Sequence, residues 1–205
     1  SNLFHLAKEN RTYDFFRGIH NSYKPSYATS EDQGETWSPG GIVVNVPHTV
    51  RHRPYAKYCS NNIDTIHMVY TEGHPRDFDN SIYHIIYRNG QLRRSDGTPI
   101  RSLKEGLTKP EEGTKIFQGG PNAVAWPADF HLLPNNDLLL VYTVKLDRDG
   151  RAHSFRLARW NHQTGQWRDH EIAPAGTRIY AAEVDYTGLA ALDPHDPQTL
   201  FISTN

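Results

Sequence analysis

The 205-residue sequence predicts an all-β fold, mainly because one strand pattern recurs along it. Apolar and more polar side chains alternate over residues 64–71, which is typical of a β-strand with a buried face. The pattern returns twice, so that Tyr70, Tyr142 and Ser203 hold matching positions 72 and then 61 residues apart. Strand patterns between these copies suggest units of four antiparallel strands, and no segment shows a helical period. Repeats of this size predict a β-propeller of four-stranded antiparallel blades.

The predicted organisation is a single propeller portion over residues 1–205, containing about three and a third blades. In the first blade, residues 8–21 are predicted to be a polar excursion, so the chain is expected to start and end on a second strand. Since closed propellers have about 4–8 blades, we expect the remaining blades of the same polypeptide to precede Leu3 and follow Asn205. The blade units are placed approximately at residues 1–46, 54–100, 122–175 and 184–205.

Composition excludes some partners and favours others. A formal net charge of −1 offers no general positive field for nucleic acid or an anionic membrane surface. No apolar run reaches the roughly 18 residues of a membrane-spanning helix, and the single cysteine, Cys59, excludes an intrachain disulfide. The twelve histidines are unusually many, which favours a site with acid–base or metal chemistry.

Residues 30–37 match the pattern Ser-x-Asp-x-Gly-x-Thr-Trp at every position. In such a turn the side chain of Asp32 accepts backbone N–H groups, Gly34 supplies an unusual φ angle, and Trp37 fills the gap between sheets. This turn is known as an Asp box. It indicates a hairpin turn and carries no chemistry.

Candidate functional residues gather at one end of the predicted blades. Loops joining the second to the third strand share a face with the loops between blades, and these loops are rich in His, Arg and Tyr. His52 and His74 flank two neighbouring antiparallel strands, so their imidazoles can meet. His74 and Arg76 have no counterpart after Tyr142, which favours a function for them. The predicted catalytic residues are His52, His74, Arg76 and Tyr186, and the predicted substrate-binding residues are Arg17, His20, Arg53, Arg178 and Tyr180.

The Asp box, together with residues 70–76, 81–84 and 185–194, resembles the BNR-repeat β-propeller family that contains the seven-bladed ulvan lyases and related rhamnose–glucuronate-active enzymes. The resemblance implies part of a seven-bladed propeller, an extracellular or periplasmic location, and a polysaccharide or oligosaccharide substrate.

The activity that the resemblance implies is β-elimination at a uronic acid. His74 or His52 would act as the base, Arg76 or Arg178 would bind the carboxylate, and a tyrosine would act as the acid. That tyrosine is assigned to Tyr186, with Tyr142 as the alternative.

Two other functions fit the same residues. A glycoside hydrolase, sialidase- or rhamnosidase-like, would use clustered arginines with Tyr180 and Glu183. A non-catalytic propeller would use the aromatic and arginine side chains only to bind a glycan. His74 and Arg76 would then be turn residues that cap the backbone or form ion pairs with nearby carboxylates.

The remaining histidines have simpler explanations. His67 and His84 lie among apolar strand neighbours, so hydrogen bonding within the fold is expected. No cofactor and no catalytic metal are predicted. A structural metal ion would need ligands such as the pairs His48 with His52 or His162 with His170.

Overall fold

The computed structural model describes residues 1–19, 23–46 and 53–204. This part of the chain contains β-strands, turns and a short 3-10 helix at Pro110–Glu112, and no α-helix. Consequently, no helix among the described residues has the length and apolar character needed to cross a membrane. The chain divides into two compact units, residues 1–70 with 83–114 and residues 71–82 with 115–205.

The first unit begins with a four-stranded antiparallel sheet in the order β1-β2-β3-β4. Strand β2 lies in the segment predicted to be a polar excursion, so that prediction is wrong. Tyr13 and Phe15 are buried and alternate with more exposed neighbours, which is the period of a strand. All four strands of this sheet are present, so the prediction that the chain starts on a second strand is also wrong. The strands are β1 (Asn2–Leu6), β2 (Arg11–Arg17), β3 (Pro25–Ser30) and β4 (Ser38–Ile42).

The second sheet has six strands, five of which are antiparallel in the order β5-β6-β7-β8-β9. Strands β8 and β9 are separated by a turn at Gly97, whose φ of 85° favours glycine. A core of buried aromatic and aliphatic side chains, including Phe15, Met68 and Tyr70, stabilises this unit. The strands are β5 (Ala56–Ser60), β6 (Ile66–Tyr70), β7 (Ile82–Arg88), β8 (Gln91–Arg93) and β9 (Pro99–Ser102).

The second unit contains a four-stranded antiparallel sheet, β11 to β14, and a two-stranded sheet, β15 with β16. All eight residues of β12 are buried, and Val141 packs with Phe155 and Leu192 in the core of this unit. The strands of these two sheets are β11 (Val124–Leu132), β12 (Leu138–Lys145), β13 (His153–Asn161), β14 (Gln166–Gly176), β15 (Ala190–Leu192) and β16 (Leu200–Ile202). The sixth strand of the second sheet, β10 (Thr114–Phe117), precedes them in the chain.

The turn between β3 and β4 shows what the motif at residues 30–37 does. Asp32 accepts hydrogen bonds from the backbone N–H of Thr36 at 2.9 Å, from its hydroxyl at 2.5 Å and from the Ser30 hydroxyl at 2.7 Å. These bonds, led by the Thr36 hydroxyl, lower the pKa of Asp32 to about 2. Gly34 has a φ of 98°. Trp37 was expected to fill a gap between sheets, but it is 40% exposed.

Candidate functional site

The loop from residue 71 to residue 81 joins β6 to β7 and is held by the buried side chain of Asn80. Its amide accepts a hydrogen bond from the Gly73 N–H at 3.0 Å and donates one to the Gly73 carbonyl at 2.9 Å. The backbone of Gly73 passes so close to Phe78 that a Cβ atom would lie 2.2 Å from its ring. The loop therefore presents His74 and Arg76 from a well-defined backbone.

His74 is buried, with 4% of its surface exposed. Its Nδ1 accepts a hydrogen bond from the backbone N–H of Arg76 at 3.0 Å. A neutral imidazole has one protonated nitrogen, so Nε2 carries the proton of neutral His74. This geometry suits His74 to donate a hydrogen bond or a proton from Nε2. It does not suit neutral His74 to act as a base there.

His74 begins a continuous row of four rings within the second unit. Its ring centroid lies 5.6 Å from that of Trp126, Trp126 lies 5.0 Å from Tyr186, and Tyr186 stacks on Tyr180 at 6.2 Å. Tyr186 is 39% exposed and Tyr180 is 52% exposed. The row thus runs from a buried imidazole to flat aromatic surfaces that a ligand can contact.

Two ion pairs lie beside this row. Arg76 pairs with Glu183, whose side chain is only 7% exposed. Lys145, the last residue of β12, pairs with Asp185, whose side chain is 1% exposed. Both basic side chains line a depression of about 360 Å³, and both carboxylates come from the segment that carries the tyrosines.

The segment of residues 178–187 closes on itself and is tied to the loop after β12. The Ile179 N–H donates to the Tyr186 carbonyl at 2.9 Å, and the Arg178 N–H donates to the Gly150 carbonyl at 2.6 Å. The guanidinium of Arg178 donates to the Asp149 carbonyl. These bonds fix the positions from which Tyr180 and Tyr186 project.

Comparison with protein families gives one match, to the BNR repeat-containing family, over residues 3–175. The chain belongs to this family. A comparison with curated protein sequences found no match.

Solved structures of an ulvan lyase, described as a new family of polysaccharide lyase, share the fold. The form bound to -[GlcA(1-4)Rha3S]- aligns with a TM-score of 0.62 and 17% identity, covering 92% of this chain and 44% of that chain. A second structure of the ulvan lyase gives a TM-score of 0.61, with the same identity and coverage. The predicted all-β propeller portion is confirmed, and the chain spans less than half the length of these relatives.

The endo-arabinase from Bacteroides thetaiotaomicron also aligns. Its TM-score is 0.42 at 12% identity, over 99% of this chain and 73% of that chain. A similarity this weak carries no argument about the present chain.

The structure therefore brings together His74, Arg76, Tyr180 and Tyr186 within one unit, with Arg178 on the same segment as the two tyrosines. Two of the predicted substrate-binding residues, Arg17 and Arg53, lie in the first unit. There the guanidinium of Arg17 lies 4.9 Å from the Tyr55 ring centroid, and that of Arg53 lies 5.3 Å from the Tyr23 ring centroid.

Several predicted residues are outside this grouping. His20, His48 and His52 lie outside the described residues. His162 lies in the turn between β13 and β14, His170 lies on β14, and both are exposed. The described part of the chain contains no group of three or more His, Cys, Asp or Glu residues that could hold a metal ion.

Tyr142, the alternative catalytic tyrosine, is fully buried. Its hydroxyl donates to Asp169 and accepts from Arg156 at 3.3 Å. Burial, followed by the hydrogen bond to Asp169, raises the pKa of Tyr142. This environment makes Tyr142 a poor acid or base for a substrate.

His67 and His84 hydrogen-bond to one another within the first unit, at 3.2 Å between Nδ1 and Nε2. The other nitrogen of His84 bonds to the Ser95 hydroxyl at 2.7 Å. Both contacts fit the expected role in the fold.

Sequence reasoning missed Trp126 and Lys145. Trp126 lies near the start of β11, and a large aromatic residue in a strand is expected to belong to the hydrophobic core. Lys145 stands at the position where the repeat ends in a polar tip. That a polar residue ends an otherwise apolar strand was the signal that could have identified it.

Proposed function

We propose that the protein carrying this chain is a polysaccharide lyase that cleaves a uronic-acid-containing glycan, of the glucuronate–rhamnose type, by β-elimination. The observation that supports this most is the row of rings from His74 to Tyr180, together with the guanidinium of Arg76, which pairs with Glu183 on the segment that carries the two tyrosines. Exposed aromatic faces offer apolar area to sugar rings, and arginine is suited to a carboxylate. The shared fold with an ulvan lyase is consistent with the proposal.

The proposed reaction removes the C5 proton of a uronate and breaks the bond between C4 and the glycosidic oxygen. The base takes the proton, the electrons of the C5–H bond form a C4=C5 double bond, and the departing oxygen takes a proton from an acid. Withdrawing charge from the uronate carboxylate makes the C5 proton more acidic, so donors around this carboxylate accelerate the step.

In this proposal, Arg76 binds the uronate carboxylate, and the buried His74 positions Arg76 through the hydrogen bond between its Nδ1 and the Arg76 N–H. Tyr186, partly exposed beside Trp126, donates the proton to the departing oxygen. His52, which lies outside the described residues, stays the sequence-based prediction for the base. Arg178 and Tyr180 are proposed to contact neighbouring sugars.

The test uses the natural polypeptide that contains this chain and a glucuronate–rhamnose polysaccharide such as ulvan. Elimination produces an unsaturated uronate that absorbs ultraviolet light, and we expect this absorbance to rise with time. Tyr186→Phe keeps the ring beside Trp126 but removes the hydroxyl. It should lower kcat by about 10²–10⁴-fold and leave glycan binding nearly unchanged.

The same assay separates the alternatives. Glycoside hydrolases typically use two carboxylates, and the buried pair Glu183 and Asp185 favours hydrolysis as the second candidate. New reducing ends without the absorbance would establish hydrolysis and contradict the lyase proposal. Binding without any cleavage would establish a glycan-binding propeller. We also propose that the protein acts outside the cytoplasm, where such polymers occur, and that further blades of its own polypeptide complete the ring.

A further inference from the structure

We propose that Glu183 is a specificity-determining residue, which neutralises Arg76 in the free site and thereby excludes simple anions. An acidic sugar then binds only when the ring row supplies part of the affinity. The inference rests on the proposed function because it concerns the same carboxylate subsite.

The ion pair between Arg76 and Glu183 is unequal in its exposure. The Arg76 side chain is 54% exposed, whereas that of Glu183 is 7% exposed. One carboxylate oxygen contacts the guanidinium, and the other, Oε1, is buried without a hydrogen-bond partner among the described residues. Water cannot solvate this carboxylate well, so Arg76 is its principal source of compensation.

Arg76 can nevertheless bind a second carboxylate. A guanidinium has five N–H donors in a planar fork, and Glu183 engages the NH2 group of Arg76. The exposed part of Arg76 lines the depression, so an incoming carboxylate can share the guanidinium while Glu183 stays in place.

The charges around the depression show why sharing gives selectivity. Three basic and two acidic side chains line it, and two further carboxylates pair with two of the basic groups, which makes the formal sum −1. A free anion therefore gains little from this field. The basic residues are Arg76, Lys145 and Arg148, the lining acids are Asp77 and Asp79, and the paired acids are Glu183 and Asp185.

The experiment measures binding of a glucuronate–rhamnose oligosaccharide and of sodium glucuronate by calorimetry, on the natural polypeptide and at two salt concentrations. Glu183→Gln keeps the shape of the side chain and removes its charge. We expect it to tighten binding of sodium glucuronate about tenfold, with a steeper dependence on salt. It should tighten binding of the oligosaccharide by less, so that the ratio of the two affinities falls. A residue with a purely structural role would weaken binding or leave it unchanged when replaced.

Glu171→Gln is the matched control, because Glu171 also faces an arginine, Arg156, but lies on β14 and is not among the residues of the site. It removes the same charge and should leave both affinities unchanged. If Glu183→Gln does not fold, Glu183→Asp serves instead. Its side chain is one methylene shorter, so the carboxylate lies farther from Arg76, and binding should again become tighter.

Oligosaccharide binding by the natural protein, with no gain in either Glu183 variant, would overturn this inference and leave the proposed function intact. An equal gain in Glu171→Gln would show a general charge effect and also overturn it. If neither the natural protein nor any variant binds the oligosaccharide, the proposed function and this inference both fail.

Discussion

Breaking the Arg76–Glu183 ion pair from its two ends should have unequal effects on stability. Arg76→Met removes the cation and leaves the carboxylate of Glu183 in place, 7% exposed. Glu183→Gln removes the buried charge and leaves the guanidinium, 54% exposed, in contact with water. Both variants lose the same ion pair. A difference between their free energies of unfolding therefore reports the cost of the unpaired charge that each variant retains.

The expected magnitudes follow from burial. Removing one partner of a buried ion pair leaves an uncompensated charge and costs about 3–5 kcal/mol, and Glu183 Oε1 already lacks a partner among the described residues. For Glu183→Gln, the remaining charge is solvated, so the cost should be close to that of an exposed ion pair, about 0–1 kcal/mol. We therefore expect Arg76→Met to be the more destabilising change by about 2–5 kcal/mol.

The assay is denaturant unfolding of the natural polypeptide and its variants at pH 7.5. The double variant Arg76→Met with Glu183→Gln should recover most of the stability lost in Arg76→Met, because no buried charge remains. Equal costs for the two single variants would refute the argument from burial. A double variant whose cost equals the sum of the single costs would refute the coupling between the two side chains.

Two further predictions concern the fold around the site. Burial is the main cause that lowers the pKa of His84 and of His153 below the ordinary value of 6.5, so the unfolded chain binds protons first as the pH falls. Their contribution is present above pH 6.5 and is lost as the pH falls below it, by about 1 kcal/mol for His84 between pH 6.5 and 5.5. Denaturation curves at these pH values should show the loss, and His84→Asn should reduce it. Gly73→Ala places a Cβ atom 2.2 Å from the Phe78 ring, so it should lower the free energy of unfolding by about 1–3 kcal/mol and reduce turnover; an unchanged thermal midpoint would contradict the close packing.

The strand repeat predicted the fold class because its period of two and its spacing reflect the packing of each sheet. The same reasoning missed β2, although Tyr13 and Phe15 alternate with Asp14 between them. Polar side chains on the other face of the strand, and the charged residues before it, weakened the apolar pattern. Pairing with β1 and β3 on both sides supplies the stabilisation that the local sequence does not show.

The candidate site could be predicted in part, for a topological reason. Loops at the same end of antiparallel strands lie near one another, so His74, Arg76 and the tyrosines could be grouped from strand order alone. The partners of the charged groups could not be predicted in this way. The pairing of Glu183 with Arg76 and of Asp185 with Lys145 depends on the path of residues 178–187. Hydrogen bonds to the loop after β12 determine this path.

The segments that end the repeated strands β6 and β12 both carry a cation, but the two cations differ in exposure. The tip after β6 carries Arg76 and that after β12 carries Lys145, and each cation meets a carboxylate from the same segment. The Lys145 side chain is only 9% exposed, so it can anchor the segment that carries Tyr186 but offers little to a ligand. Arg76 is half exposed, so of these two paired cations it is the one that a substrate carboxylate can reach. This difference in exposure is the physical reason to place the proposed carboxylate subsite at Arg76.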